Sequence, residues 1–204
     1  METAFASSSD ATLLRAEGLA CRRGEKLLFT GLSLAVGAKE ALQVAGPNGS
    51  GKTSLLRLLA GLSRPFAGTV ARGGRIAMQD ERHALDAHWP LERALAFWTR
   101  CDGAGQGAME AAAARTGLAD LMDVPVRYLS TGQRKRATLA RILAQNAPLW
   151  LLDEPLSGLD EDAIAMVESL VSEHCTMGGA CVIASHQPLR IAGLSRLALA
   201  DFAP

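Results

Sequence analysis

The chain has 204 residues, 49% of them hydrophobic, enough for one large domain or two small ones with a sizeable core. Lys plus Arg and Asp plus Glu each number 21, and the resulting zero net charge argues against a chain-wide nucleic-acid surface while leaving room for a local basic patch. Four scattered cysteines, Cys21, Cys101, Cys175 and Cys181, lack metal-ligand spacing and suit a reducing compartment.

Met1 to Ala11 is small and polar, without the basic start and apolar centre of a secretory signal. No apolar run approaches the ~20 residues that span a bilayer, so any membrane in this protein's work is expected from another chain. Residues 12–36 alternate apolar and polar around a Gly24-Glu25 break, which predicts strands near Leu13–Cys21 and Leu32–Val36. Gly37 to Glu40 turns into Ala41–Ala45, an apolar run that reads as a buried strand. Gly46-Pro47-Asn48-Gly49-Ser50-Gly51-Lys52-Thr53 then fits the P-loop pattern of Gly, four residues and Gly-Lys-Ser/Thr. Ser54–Gly61 follows with the apolar doublets of a helix and a glycine stop.

Strand, glycine loop and helix is the context this motif needs. Glycines let backbone N–H groups turn toward a polyphosphate, and the new helix adds roughly half a positive charge at its N-terminus. Lys52 is a mobile point charge able to reach the β- and γ-phosphates. The Thr53 hydroxyl is a hard oxygen suited to Mg²⁺, which prefers to share phosphate oxygens.

Beyond a loop at residues 63–68, short strands are expected at Thr69–Ala71 and Arg75–Met78, with Gln79 closing the second. From Asp80 to Asn146 the texture turns helical, with Leu91–Trp98, Ala108–Leu118 and Gly132–Gln145 at helical spacing. This stretch reads as a helical subdomain, residues 80–146, inserted into a nucleotide-binding core of residues 1–79 and 147–204. Leu149–Leu152 is a continuous apolar run ending in Asp153-Glu154, followed by a helix over Glu161–His174 and strands over Ala180–Ala184 and Arg196–Ala200. Alternating strands and helices with apolar runs predict an α/β fold, a mainly parallel central sheet covered on both faces, entered through N-terminal antiparallel strands.

A carboxylate at the carboxyl end of a buried strand stands where α/β sheets bind ligands. Asp153 there can hold Mg²⁺ through water, and Glu154 can polarise an attacking water. Taken alone, the same residues also suit a strand ending in a polar loop. The basic run Arg134-Lys135-Arg136 with Arg141 reads as a solvated helix face. His83, His88 and His174 read as surface polar residues.

Leu129-Ser130-Thr131-Gly132-Gln133 resembles the signature of ATP-binding-cassette (ABC) ATPases. Ser157-Gly158-Leu159-Asp160 resembles that family's D-loop, Ser185-His186-Gln187 its switch histidine and Gln79 its Q-loop glutamine, all in the family's order. The resemblance implies a P-loop NTPase that binds ATP with Mg²⁺ and hydrolyses it. It implies that Glu154, His186 and Gln79 are catalytic, and that Thr53, Gln79 and Asp153 face the metal. It also implies that Ser130 and Gly132 meet the ATP of a second copy, in an ATP-sandwiched homodimer.

Within the family, Arg23-Gly24-Glu25-Lys26-Leu27-Leu28-Phe29, Gly61-Leu62-Ser63-Arg64-Pro65 and Pro125-Val126 resemble the ATPases of cytochrome c maturation haem exporters. That implies a peripheral protein on the cytoplasmic face of the cell membrane, partnered by the integral-membrane permease subunit of the haem exporter and by no nucleic acid. The permease is expected near Gln79–His83, with Glu81 and Arg82 in the contact. An ABC ATPase for another substrate, or a soluble ABC-type nucleotide-switched regulator, stays open. Two positions depart from the pattern. Thr131 stands where the family has glycine, and Arg23 stands where most members stack an aromatic on adenine, with no Tyr or Trp before Trp89. An Arg plane can also stack on a base.

Overall fold

The computed structural model describes residues 12–80 and 84–204. Strands β1 (Thr12–Arg23) and β2 (Lys26–Gly37) form an antiparallel hairpin, and β1 also pairs antiparallel with β4 (Ala67–Arg72), giving the order β2-β1-β4. The hairpin is longer than its alternation suggested, with β2 starting at Lys26 rather than near Leu32. Register shifts interrupt β1 between Ala16 and Arg22, and Gly18 and Gly31 both take left-handed backbone, φ 59° and 67°. Such bulges break the period of two on which a strand reading depends.

A second sheet of five parallel strands runs β5 (Ile76–Gln79), β6 (Leu149–Asp153), β7 (Ala180–Ala184), β3 (Ala41–Ala45) and β8 (Ser195–Ala198). Every residue of β3, β6 and β7 is buried, as expected of central parallel strands covered on both faces. Their side chains divide by alternation: Leu149, Leu151 and Val182 join one core with β1, β2 and α1 (Lys52–Ala60), whereas Trp150, Leu152 and Ile183 join another with α5 (Glu161–Thr176). The chain passes from the first sheet to the second at Gly73-Gly74. A Cβ on Gly73 would stand 2.7 Å from the Thr12 carbonyl, so only glycine fits this crossing. The last strand is shorter than expected, because the chain turns into a 3-10 segment over Leu199–Phe202 and Leu199 enters the core.

Helices α2 (Leu91–Cys101), α3 (Gln106–Arg115) and α4 (Thr131–Gln145) share a third apolar cluster around Leu91, Leu95, Met109 and Leu118. Helix α4 belongs to two clusters: Ala137, Ala140 and Ala144 face α2 and α3, while Leu139 and Ile142 pack on the parallel sheet. Helix α4 thereby ties the helical region to the sheet.

Candidate active site

The parallel register decides which motifs meet. Val44 and Asp153 both pair with Ala184, and Gln79 pairs with Leu152. The carboxyl ends of β5, β6, β7 and β3 therefore stand side by side, and the loops leaving them project into one mouth, where open α/β sheets bind ligands. Gln79, Asp153-Glu154, Ser185-His186 and Gly46–Thr53 all arrive there.

The P-loop is built by glycines. Gly49 and Gly51 have φ of 80° and 108°, and a Cβ on Gly46 would stand 2.7 Å from Ser50 Oγ. Gly51 is the N-cap of α1, with no side-chain cap and no acidic residue in the first turn, so the helix N-terminus presents its N–H groups and dipole without internal competition. The other sequence-read loop residues, Pro47, Asn48 and Ser50, belong to the same turn. Leu28 and Phe29 of the hairpin abut Gly51, at 3.4 Å from a built Cβ, which brings the first sheet against the loop.

Lys52 is only 6% exposed. Its Nζ donates to the carbonyls of Gly46 (2.8 Å) and Pro47 (3.2 Å) and lies 3.2 Å from Glu154 Oε1. The second carboxylate oxygen of Glu154 is 2.9 Å from Nδ1 of His186. Glu154 thus has a cation on one oxygen and an imidazole on the other. Its φ is 45°, a left-handed conformation that costs a residue with a Cβ about 1–2 kcal/mol and is retained where surrounding bonds over-determine it. That turn directs Glu154 away from the line of β6, while Asp153 ends the strand buried.

Thr53, Asp153 and Gln79 supply a hydroxyl, a carboxylate and an amide oxygen. Gln79 is 4% exposed and its Oε1 has no hydrogen-bond partner among the described residues. A buried acceptor left so costs about 1–3 kcal/mol, which a ligand can recover. Hard oxygens with a single carboxylate fit Mg²⁺ shared with phosphates, not an all-protein cage. Among the described residues no group of three or more His, Cys, Asp or Glu is arranged to hold a metal.

Ser130 caps α4. Its hydroxyl accepts from the Gln133 N–H (3.1 Å), and Gln133 Oε1 accepts from the Ser130 N–H (2.8 Å). Ser130 and Thr131 are exposed, and among the described residues no hydrogen bond or ion pair joins Ser130 or Gly132 to Lys52, Glu154 or His186. The exposed turn at Arg23 likewise makes no side-chain hydrogen bond, ion pair or ring contact among them; its neighbour Arg22 lies 4.7 Å over the Phe66 ring. Glu81, Arg82 and His83 lie outside the described residues, as does Met1–Ala11.

Two sequence readings are corrected. The basic run on α4 is not a solvated face. Lys135 Nζ donates to the Glu154 carbonyl (3.1 Å), Arg136 donates to the carbonyls of Thr116 and Gly117 at the end of α3, and buried Arg141 donates to the Met78 carbonyl while its guanidinium stacks on Trp98. On a helix packed on two sides little water reaches these positions, so Lys135, Arg136 and Arg141 satisfy carbonyls instead. His174 is not surface polar: its ring stacks on Trp150 at 3.9 Å, and burial lowers its pKa. Gln43, unremarked in the sequence, is buried in β3 and donates to the carbonyls of Ser185 and Gln187, fixing the backbone on both sides of His186. A Gln inside an apolar strand beside the P-loop was the available signal.

Known proteins resemble this chain over most of its length. The model of the family described as ABC transporter matches residues 29–157. The cytochrome c biogenesis ATP-binding export protein CcmA of Novosphingobium aromaticivorans is 58% identical over 191 residues, covering 94% of this chain and 97% of that protein. Proteins of the same name from Sphingopyxis alaskensis and Rhodospirillum rubrum are 50% and 45% identical, each over 92% of this chain and over 96% and 86% of their own lengths. Among solved structures, an ABC transporter ATP-binding protein from Pyrococcus furiosus superposes with a TM-score of 0.83 over 94% of this chain and 99% of its own, at 22% identity, a likeness of fold.

Proposed function

The chain belongs to the ABC transporter family of ATP-binding proteins, and from that membership we propose that it is the ATP-hydrolysing subunit of the exporter that handles haem for cytochrome c maturation. The observation that carries the reading is the Glu154 carboxylate gripped by Lys52 and His186 at the mouth of a P-loop sheet. We treat the chain as one ATPase domain, with the helical subdomain of residues 80–146 set into the nucleotide-binding core.

The residues divide the work. Backbone N–H groups of Gly46 and of Asn48 to Thr53, at the start of α1, cradle the phosphates, and Lys52 reaches the β- and γ-oxygens. Glu154 accepts the proton of a water aligned on the γ-phosphorus, and His186, beside the same carboxylate, donates to the γ-phosphate as its charge grows. Thr53, Asp153 and Gln79 would hold Mg²⁺, which would supply positive charge against the developing negative charge of the polyphosphate. Arg23 lies at the edge of the hairpin as a plane for the base.

Ser130 and Gly132 close the site from a second copy. The exposure of Ser130 and the N-terminus of α4 suit an outward-facing γ-phosphate contact, so two chains related head-to-tail complete two sites. Among the described residues no helix is long and apolar enough to cross a membrane. A peripheral position on the cytoplasmic face, docked on a separate permease, accords with this role, with the chain after Gln79 as the contact. No part is proposed for nucleic acid.

The test is complementation. In cells lacking their own ATPase of this type, the wild-type chain is expected to restore covalent haem attachment to c-type cytochromes. Glu154→Gln should accumulate to the same level and restore none. An ATPase-active wild-type chain that leaves cytochromes c immature would assign the transporter to another substrate.

A further inference from the structure

Glu154 is bonded to widely separated parts of the chain. Its side chain meets Lys52 of α1 and His186 after β7. Its N–H donates to the Ala184 carbonyl at the end of β7 (2.8 Å). Its own carbonyl accepts a long bond from the Ser157 N–H (3.3 Å) and a second from Lys135 Nζ (3.1 Å). Of these, the Lys135 bond is the one that comes from α4, the helix capped by Ser130 five residues earlier.

That bond has leverage. Glu154 sits at φ 45°, a backbone well that a residue with a Cβ leaves readily unless neighbours hold it. The N–H bond to Ala184 fixes one side of the residue, and the ammonium on the carbonyl fixes the other. A charged donor on a carbonyl is stronger than a neutral one, and Lys135 is half-buried in a crevice with Gln79, Pro155 and Leu159, where water competes little. Rotation about φ and ψ of Glu154 would swing its carboxylate away from both Lys52 and His186.

We propose that Lys135 is a positioning residue for hydrolysis: its ammonium holds the left-handed backbone that aims the Glu154 carboxylate, and because it rides on α4 it ties that aim to the position of Ser130. In the two-fold assembly proposed above, a displacement of Ser130 at one nucleotide would be felt at the base serving the other. The inference rests on Glu154 being the general base.

The experiment is a double-mutant cycle with purified full-length chain under single-turnover conditions. Lys135→Met should lower the hydrolysis rate by about 10–10²-fold, the scale for a displaced catalytic group, while leaving the KM for ATP within about twofold. Lys135→Arg, which keeps a donor of similar reach, should recover most of the rate. In a Glu154→Gln background Lys135→Met should cost nothing further, because its effect passes through Glu154. Lys135→Gln serves if the Met variant melts early. An unchanged rate, a loss confined to KM, no recovery with Arg, or an additive loss in the Glu154→Gln background would each overturn the positioning role. Wild-type turnover in Glu154→Gln alone would instead overturn the base assignment.

Discussion

Nζ of Lys52 lies 3.2 Å from Oε1 of Glu154, across the mouth between the start of α1 and the end of β6. The two residues are 102 positions apart, and the strands that lead to them, β3 and β6, do not pair directly; β7 stands between them. One ammonium therefore borders both the glycine loop and the carboxylate proposed as the base. Binding and chemistry share a charge here, and substitution at either end should separate them.

Lys52→Ala removes the cation at the phosphates and leaves the carbonyls of Gly46 and Pro47 without their donor. A hydrogen bond to a charged group contributes about 1.5–3 kcal/mol, so nucleotide affinity should fall roughly 10–100-fold. Titration of a fluorescent nucleotide into both proteins reads this directly. Equal affinities would remove Lys52 from the phosphate site.

Glu154→Gln keeps the shape and the bond to His186 while losing the basic carboxylate. Loss of a positioned base typically lowers turnover by about 10²–10⁴-fold. Phosphate release from the two proteins, measured at saturating ATP, checks this, and nucleotide affinity should stay within a few-fold of wild type. Turnover near the wild-type rate would move the base to another group, with His186 the first candidate.

The P-loop was legible in the sequence because its geometry is local: glycines, a lysine and a helix start within eight residues are the whole device. Asp153 and Glu154 were legible as a strand end, and the resemblance supplied their company. The contact of Glu154 with Lys52 and His186 is set by the register of β3 on β7 and of β7 on β6, long-range pairings that no local pattern encodes. The same holds for Lys135 and Arg141, whose acceptors, the carbonyls of Glu154 and Met78, lie at the ends of distant strands. A run of cations ordinarily marks a wet face, and only the double packing of α4 makes these otherwise. The start of β2 was hidden by bulges at Gly18 and Gly31, which break the alternation a strand reading follows.

Among the described residues no side-chain bond competes for the Arg23 guanidinium, and the first hairpin turn offers the base no aromatic partner. The triphosphate then supplies most of the affinity, and ATP and GTP should compete within roughly tenfold, a gap of about 1.4 kcal/mol. Arg23→Tyr should shift selectivity toward ATP by adding a rigid face of the kind that contributes about 1–3 kcal/mol per stacked base. A wild-type preference for ATP beyond about a hundredfold would reveal a different adenine contact.

Burial pulls the His174 pKa below its ordinary 6.5, against weaker opposing hydrogen bonds to the backbone of Ala180 and Pro148. Below 6.5 the unfolded chain takes up this proton before the folded one does. The contribution of neutral His174 is thus fully present above pH 6.5 and is lost as pH falls through the lowered folded value. Thermal unfolding midpoints should begin to drop as pH falls below 6.5. His174→Gln, which loses the stack on Trp150, should melt lower at pH 7.5 but with a shallower pH slope. An identical slope in both proteins would mean that His174 titrates normally when folded.

Central to the proposed mechanism is that two chains share each nucleotide, with Ser130 and Gly132 of one facing Gly46–Thr53 of the other. Sedimentation velocity of Glu154→Gln with MgATP and with MgADP tests it most directly, since a ligand bound between two chains stabilises their association by mass action. The expected result is a dimer with ATP, a monomer with ADP, and a monomer that still binds ATP when Ser130→Arg is added. A Glu154→Gln chain saturated with ATP yet monomeric at every concentration would contradict it.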